Sequence, residues 1–147
     1  MRLIFVLVKP TIESTVKTIL CTIDFSNSTR HSIEWAVSMA RHMRAHLSIL
    51  YTYRLIQPRT DEVFLKKKVI EQEAREKFQV LENEFLSKEG ISYDFKIEVG
   101  FISDRIEDHA KKNTLDFVVM DKTMRTNSNE SLDELMEHIH VPMLVVP

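Results

Sequence analysis

Four polar side chains stand where two apolar runs of the sequence end, and together they could contact a small-molecule ligand. Asp24 closes the run TILCTID, and Asp121, Lys122 and Arg125 follow the run LDFVVM. In a doubly wound parallel sheet, ligands bind just beyond the carboxyl ends of the strands. We therefore expect any small-molecule site of this protein to lie in the loop after Met120.

The elements that must position these side chains alternate regularly along the chain. Short runs rich in Val, Leu and Ile are typical of strands buried on both faces of a parallel sheet. Helical spacing of apolar residues fills the intervals between them. The predicted strands are 18–24, 47–53, 93–99, 115–120 and 143–146, and the predicted helices are 28–44, 61–88, 103–112 and 131–139. Right-handed crossovers place such helices on both faces of one sheet, which predicts a single doubly wound, Rossmann-like α/β domain.

Two of these elements have a distinctive surface. The strand 93–99 (YDFKIEV) alternates apolar and charged residues, which predicts a half-exposed strand at a sheet edge. The helix 61–88 carries one apolar stripe, and we expect Lys66–Lys68 to lie on its solvated face. The residues of the stripe are Val63, Ile70, Ala74, Phe78, Leu81 and Phe85.

The length and composition of the chain indicate the broad class of protein to which it belongs. The chain has 147 residues and a formal charge of −2, so we expect one globular domain with neither nucleic acid nor an anionic membrane as partner. The single cysteine, Cys21, suits a reducing cytoplasm, and we interpret it as a buried apolar residue. We assign residues 17–147 to the domain. We interpret residues 1–16 as an N-terminal extension that adds an edge strand or contacts a partner. The alternative interpretation is that these residues result from a wrongly assigned translation start.

The sequence predicts no metal site. His42 and His46 are four residues apart and would share a helix face if the helix reached His46, but two ligands alone do not make a metal site. No Ser, His and acid combination has the spacing of a known nucleophile motif. We therefore expect no catalytic residues.

The ordered segments of the chain resemble the universal stress protein family. KTILCTIDFSNSTRHSIEWAVSMARHMRAHLSILYTY is similar to the opening of that domain, with an apolar strand ending in Asp, a polar turn with Ser and a helix containing Trp-Ala. LDFVVMD resembles its fourth strand, and HIHVPMLVVP its closing strand. The resemblance covers residues 17–147. It implies an adenine nucleotide alpha hydrolase-like fold, a sheet of order 3-2-1-4-5, and a homodimer formed largely through the last strand, Val141–Val146.

The resemblance also reveals a departure from the nucleotide-binding members of the family. Those members carry G-x-x-G, then nine residues, then G-[ST] after the fourth strand. Here Asp121 and Met124 stand at the first two glycine positions, Asn129-Glu130 stand at the last pair, and the loop is about five residues shorter. Such loops use glycine so that backbone N–H groups can converge on phosphate, and side chains would block that approach. We interpret Glu130 as a helix cap.

Two functions remain open from the sequence. The first is a dimeric, non-catalytic stress-response protein that has lost ATP binding, in which Asp24 caps the turn into the first helix. The second is an ATP- or AMP-binding protein with a degenerate phosphate loop and at most slow ATP hydrolysis. That second function would use Mg²⁺ and the side chains of Asp24, Asp121, Lys122 and Arg125.

Overall fold

The computed structural model describes residues 17–55, 60–124 and 131–147. Within these ranges, five strands and four helices alternate. The strands are β1 (Thr18–Ile23), β2 (His46–Tyr53), β3 (Tyr93–Val99), β4 (Leu115–Asp121) and β5 (Met143–Val146). The helices are α1 (Thr29–Met43), α2 (Thr60–Glu84), α3 (Ile102–Lys112) and α4 (Leu132–His138), and a short 3-10 turn spans Leu86–Lys88. None of the helices in the described ranges combines the length and apolar character that a membrane span requires.

The strands form one parallel sheet in the order β3-β2-β1-β4-β5. This confirms the predicted fold class, the strand order and the edge position of β3. Alternate side chains of each strand point to opposite faces, so the sheet carries two apolar layers. Ile19, Cys21 and Ile49 face the layer that α1 and α2 cover, while Leu20 and Leu50 face the layer that α3 and α4 cover.

Two predicted helix ends differ from the structure. The long helix was predicted to run to Lys88 but ends at Glu84, because Phe85 has a non-helical backbone with φ −149° before the 3-10 turn begins. The first helix ends at Met43, and Arg44 closes it in the left-handed region with φ 54°. His46 is therefore the first residue of β2 and does not share a helix face with His42.

The fourth strand is longer by one residue than predicted. Asp121 is its last residue and pairs in register with Val146 of β5. The apolar run stops at Met120, so periodicity alone placed Asp121 in the loop. Its position inside the strand decides the geometry of the candidate site.

Candidate functional site

The crevice at the carboxyl ends of β1 and β4 is the topological switch point of the sheet. These two central strands are paired, with Cys21 opposite Val119, and their connections leave in opposite directions. Asp24 follows β1 and Asp121 is the last residue of β4, so both lie at this same edge of the sheet. This is where a doubly wound fold places its ligands.

Asp24 stabilises the turn that leads into α1. Its Oδ1 accepts hydrogen bonds from the Ser26 N–H at 3.0 Å and from the Thr29 hydroxyl at 3.4 Å. The residue between, Phe25, has φ 59°, a left-handed conformation that is rare for an aromatic residue. The N-cap of α1 is Ser28, so the carboxylate of Asp24 holds the preceding turn and does not cap the helix itself.

Asp121 is buried in the crevice, with a residue exposure of 6%. Its Oδ1 accepts the Thr123 N–H at 2.7 Å and the Thr123 hydroxyl, and its Oδ2 accepts the Ser32 hydroxyl at 3.5 Å. The Ser28 hydroxyl also donates to this carboxylate. Asp121 therefore joins the end of β4 to the first turn of α1.

These hydrogen bonds keep the buried carboxylate charged. Burial acts to raise the pKa of Asp121, but the bonds from Thr123, Ser28 and Ser32 together outweigh it and hold the pKa below its ordinary value. The protein thus places its own fixed negative charge at the start of α1, where the helix dipole favours an anion.

Met124 lies beyond the end of β4 on the other face of the sheet, because Asp121 bonds to α1 whereas Met124 packs against the layer of α3 and α4. Its N–H bonds to the Asp121 carbonyl at 3.1 Å, which folds the turn back onto the sheet edge. Its sulfur accepts the hydroxyl hydrogen bond of buried Thr22 at 3.5 Å, and its side chain packs against the apolar layer that contains Leu20 and Met120. The two residues at the family's glycine positions thus carry side chains that cover the end of β4 on opposite faces of the sheet.

Of the two remaining predicted site residues, Lys122 lies in the described part of the chain and Arg125 does not. Lys122 is exposed, and its N–H pairs with the Val146 carbonyl at 3.1 Å. Arg125 lies outside the described residues, as do Asn129-Glu130 and the extension 1–16. Ser131, and not the predicted Glu130, is the N-cap of α4, since its hydroxyl oxygen accepts the Glu134 N–H at 3.1 Å.

Sequence reasoning missed the hydroxyl partners of Asp121 and Met124. Ser32 is 89 residues from Asp121, and Thr22 is 102 residues from Met124. Their positions at the end of β1 and the start of α1 were the available signal, because those ends meet β4 at the switch point. Tyr51 also belongs to this edge, since burial, then Asp24 and then Glu73 raise the pKa of its phenol.

Other reactive groups lie away from the crevice. Cys21 is fully buried within β1, and burial raises the pKa of its thiol to about 12, which suits a structural residue. In the described part of the chain, no three His, Cys, Asp or Glu side chains are grouped to hold a metal ion.

Known structures share this fold. A universal stress protein from Burkholderia pseudomallei has a TM-score of 0.70 and 19% identity, covering 88% of this chain and 95% of its own. UspA from Lactobacillus plantarum has a TM-score of 0.65 and 19% identity, covering 90% and 99%. A universal stress protein from Archaeoglobus fulgidus, solved in complex with dAMP, has a TM-score of 0.65 and 14% identity, covering 90% and 98%.

The sequence comparisons identify a protein family but no individual curated relative. A search among curated proteins finds no match. The sequence profile described as the universal stress protein family matches residues 15–147, which is nearly the whole chain. This match agrees with the strand order and the switch-point geometry, and the chain belongs to the universal stress protein family.

Proposed function

We propose that this universal stress protein does not bind ATP, catalyses no reaction, and acts in the stress response as a regulatory homodimer through its surfaces. The observation that carries the proposal is the buried carboxylate of Asp121 at the start of α1. A phosphate group at this point would need donors that Asp121 already uses. It would also meet a fixed negative charge in a site with little water to screen it.

The packing of Met124 supports the same conclusion. Phosphate-binding loops depend on bare backbone that can approach the ligand closely. Here the thioether packs at the end of β1 on the face that α3 and α4 cover, with its sulfur 3.5 Å from the Thr22 hydroxyl. Displacement of this side chain by a ligand would expose part of that apolar layer to water.

The proposed dimer uses the free edge of β5. Among the described residues β5 pairs with β4 alone, so its outer edge has unpaired backbone groups beside partly exposed apolar side chains. Pairing of Val141–Val146 with the same segment of a second chain would give the backbone groups of that edge hydrogen-bond partners and form a twofold contact. We place the protein in the cytoplasm, without nucleic acid or membrane partners, because of its charge of −2 and its single buried cysteine.

The alternative function is nucleotide binding with a degenerate loop. The Archaeoglobus relative was solved with dAMP, a monophosphate that makes smaller demands on a phosphate loop than ATP does. In this chain, Asp24 lies at the matching edge beside Tyr51 and could contact a nucleoside. Slow hydrolysis of ATP with Mg²⁺ would additionally require Lys122 and Arg125.

Isothermal titration calorimetry separates the two functions. Titration of the native protein with ATP and Mg²⁺, and separately with AMP, is expected to give no saturable heat up to about 1 mM ligand. The matched variant is Asp24→Ala, with its fold checked by circular dichroism. Micromolar binding by the native chain that this substitution abolishes would refute the proposal and establish the alternative.

A further inference from the structure

A polar cavity of about 160 Å³ opens at the amino ends of the strands, at the edge of the sheet opposite to the candidate site. The first residues of β1, β2 and β3 form its floor, and the last turn of α3 forms one wall. Hydroxyl and charged side chains line it, among them those of Ser48, Asp94 and Lys96. A space of this size holds about five water molecules or one small organic molecule.

Ser48 is a buried polar residue that the protein itself leaves without a partner. The residue is 4% exposed, and its hydroxyl has no hydrogen-bond partner among the described residues. Its side chain lies on the same face of β2 as that of Leu50, which is the face that α3 covers. Buried hydroxyl groups nearly always have a partner, because an unpaired one costs free energy. The hydroxyl of Ser48 therefore indicates a molecule that enters the cavity and bonds to it.

Asp94 offers a second acceptor beside this hydroxyl. Ser48 and Asp94 pair in register on β2 and β3, and neighbouring strands lie about 4.8 Å apart. The Oδ1 atom of Asp94 bonds to His46, whereas its Oδ2 atom lies 3.8 Å from Lys96 Nζ, which is too far for a hydrogen bond. One donor group in the cavity can therefore reach Asp94 Oδ2 and Ser48 Oγ together.

Two histidines bond to carboxylates at this side of the sheet. Because an ionised carboxylate only accepts hydrogen bonds, His46 Nε2 donates to Asp94 at 3.0 Å. The Nδ1 atom of His46 accepts the Ser92 hydroxyl at 2.6 Å. His109, which is 7% exposed, donates in the same way through Nε2 to Glu98 at 3.0 Å. Neutral imidazole rings make all of these bonds, so neither carboxylate needs a positive charge on its histidine.

The charge around the cavity favours a cation over an anion. With neutral histidines, the carboxylates of Asp94 and Glu98 face the single ammonium group of Lys96. Helix α3 also ends against the cavity at its C-cap, Asn113, and the carboxyl end of a helix carries partial negative charge. The lysines 111–112 of that last turn do not line the cavity.

We propose that this cavity binds a small organic ammonium ion, a primary amine with a short alkyl chain. The ammonium group donates to Asp94 Oδ2 and to Ser48 Oγ, and the alkyl chain contacts Leu20 and Leu115, which line the same cavity. A metal ion does not match the site, because within the described ranges no three His, Cys, Asp or Glu side chains are grouped to hold one. The site is separate from the crevice at the end of β4, so it does not depend on whether a nucleotide binds there.

Lys96 competes with such a ligand for Asp94. Its side chain is 38% exposed, and its ammonium group forms an ion pair with Asp94 at 3.8 Å. The substitution Lys96→Met keeps most of the aliphatic stem and removes the like charge, so affinity for an ammonium ligand should rise about tenfold. An anionic ligand held by Lys96 would bind this variant more weakly, which would contradict the proposal.

n-Butylammonium chloride is the probe, since a primary amine of pKa about 10 is charged at neutral pH. In a titration of the ¹⁵N-labelled chain at constant ionic strength, the amide signals of Ser48 and Asp94 should shift saturably. A Kd of about 1–10 mM suits so small a ligand. The matched controls are n-butanol and butyrate, which keep the alkyl chain without the positive charge and should give no saturable shift.

Two variants assign the contacts. Ser48→Ala removes only an unpartnered hydroxyl, so stability should be kept while affinity for butylammonium falls about fivefold. Asp94→Asn should abolish saturable binding, with its fold checked by the dispersion of the amide signals. The proposal is overturned if butylammonium gives no saturable shift up to about 50 mM, since water alone would then fill the cavity. It is also overturned if butanol or butyrate binds equally well, or if Ser48→Ala binds like the native chain.

Discussion

Replacement of Asp121 by alanine is expected to lower the free energy of unfolding by about 2–4 kcal/mol. The carboxylate is buried and accepts the Thr123 N–H, while the hydroxyls of Thr123, Ser28 and Ser32 also donate to it. Alanine removes the acceptor of the Thr123 N–H and of the hydroxyl of Ser32, which is only 1% exposed and is therefore reached poorly by water. Urea denaturation followed by circular dichroism measures the change.

The pH dependence of the free energy of unfolding tests whether the charge of Asp121 causes this stabilisation. Because the pKa of Asp121 is lowered in the folded state, the folded chain binds this proton less tightly than the unfolded chain does. The contribution to stability is therefore present above about pH 4, the ordinary range of an aspartate, and is lost as the pH falls through the folded pKa.

The matched control for this prediction is Asp121→Asn. The amide oxygen still accepts a hydrogen bond from Thr123 but does not titrate. We expect this variant to be more stable than the alanine variant at neutral pH and to lose less stability than the native chain below about pH 4. If the free energy of unfolding falls equally with decreasing pH in the native chain and in the asparagine variant, protonation of Asp121 does not affect stability.

The substitution Val145→Asp is expected to convert a dimer into a monomer or an aggregate. Val145 lies in β5, whose outer edge is the proposed dimer contact, and its side chain is partly exposed in the single chain. In the dimer the two strands would bring two aspartates together in an apolar contact, where unpaired charges are costly. Light scattering after size-exclusion chromatography should give about the mass of one chain, 17.3 kDa, in place of twice that mass.

Val145→Thr is the matched control for the strand contact. Threonine keeps the β-branched shape that suits a strand and adds no charge, so the dimer should persist. A stable native dimer of the Val145→Asp variant would rule out β5 as the contact.

The sheet could be predicted from the sequence because its strands are buried. The run LDFVVM is apolar apart from Asp116, and such runs alternate with helical periodicity, so the parallel arrangement follows from the pattern. The edge position of β3 followed from the alternation in YDFKIEV. The order of the strands came from the family resemblance and not from periodicity.

The interior of the candidate site could be predicted only in part. The replacement of glycine by Asp121 and Met124 is visible in the sequence, and it indicated that phosphate would be obstructed. The side chains could instead have pointed into solvent, and local patterns cannot decide this. Their partners Ser32 and Thr22 lie in distant segments, and the fold alone brings them together.

The long helix shows a second limit of sequence patterns. Its predicted inward stripe contains Ala74 and Phe78, which are buried. The stripe also contains Val63 and Ile70 in the first half of the helix, and these remain partly exposed. Periodicity identifies the inward side of a helix, but the extent of its burial depends on the length of the sheet beneath it.

The protein's own side chains cover the end of β4, with the carboxylate of Asp121 on the α1 side and the thioether of Met124 on the side of α3 and α4. A titration of the ¹⁵N-labelled native protein with ATP and Mg²⁺, followed through the amide signals of Asp121, Lys122 and Thr123, tests this claim at the residues concerned. We expect no saturable shift of these signals up to about 1 mM nucleotide. Saturable micromolar shifts confined to this turn would show that polyphosphate enters the crevice, and would contradict the account.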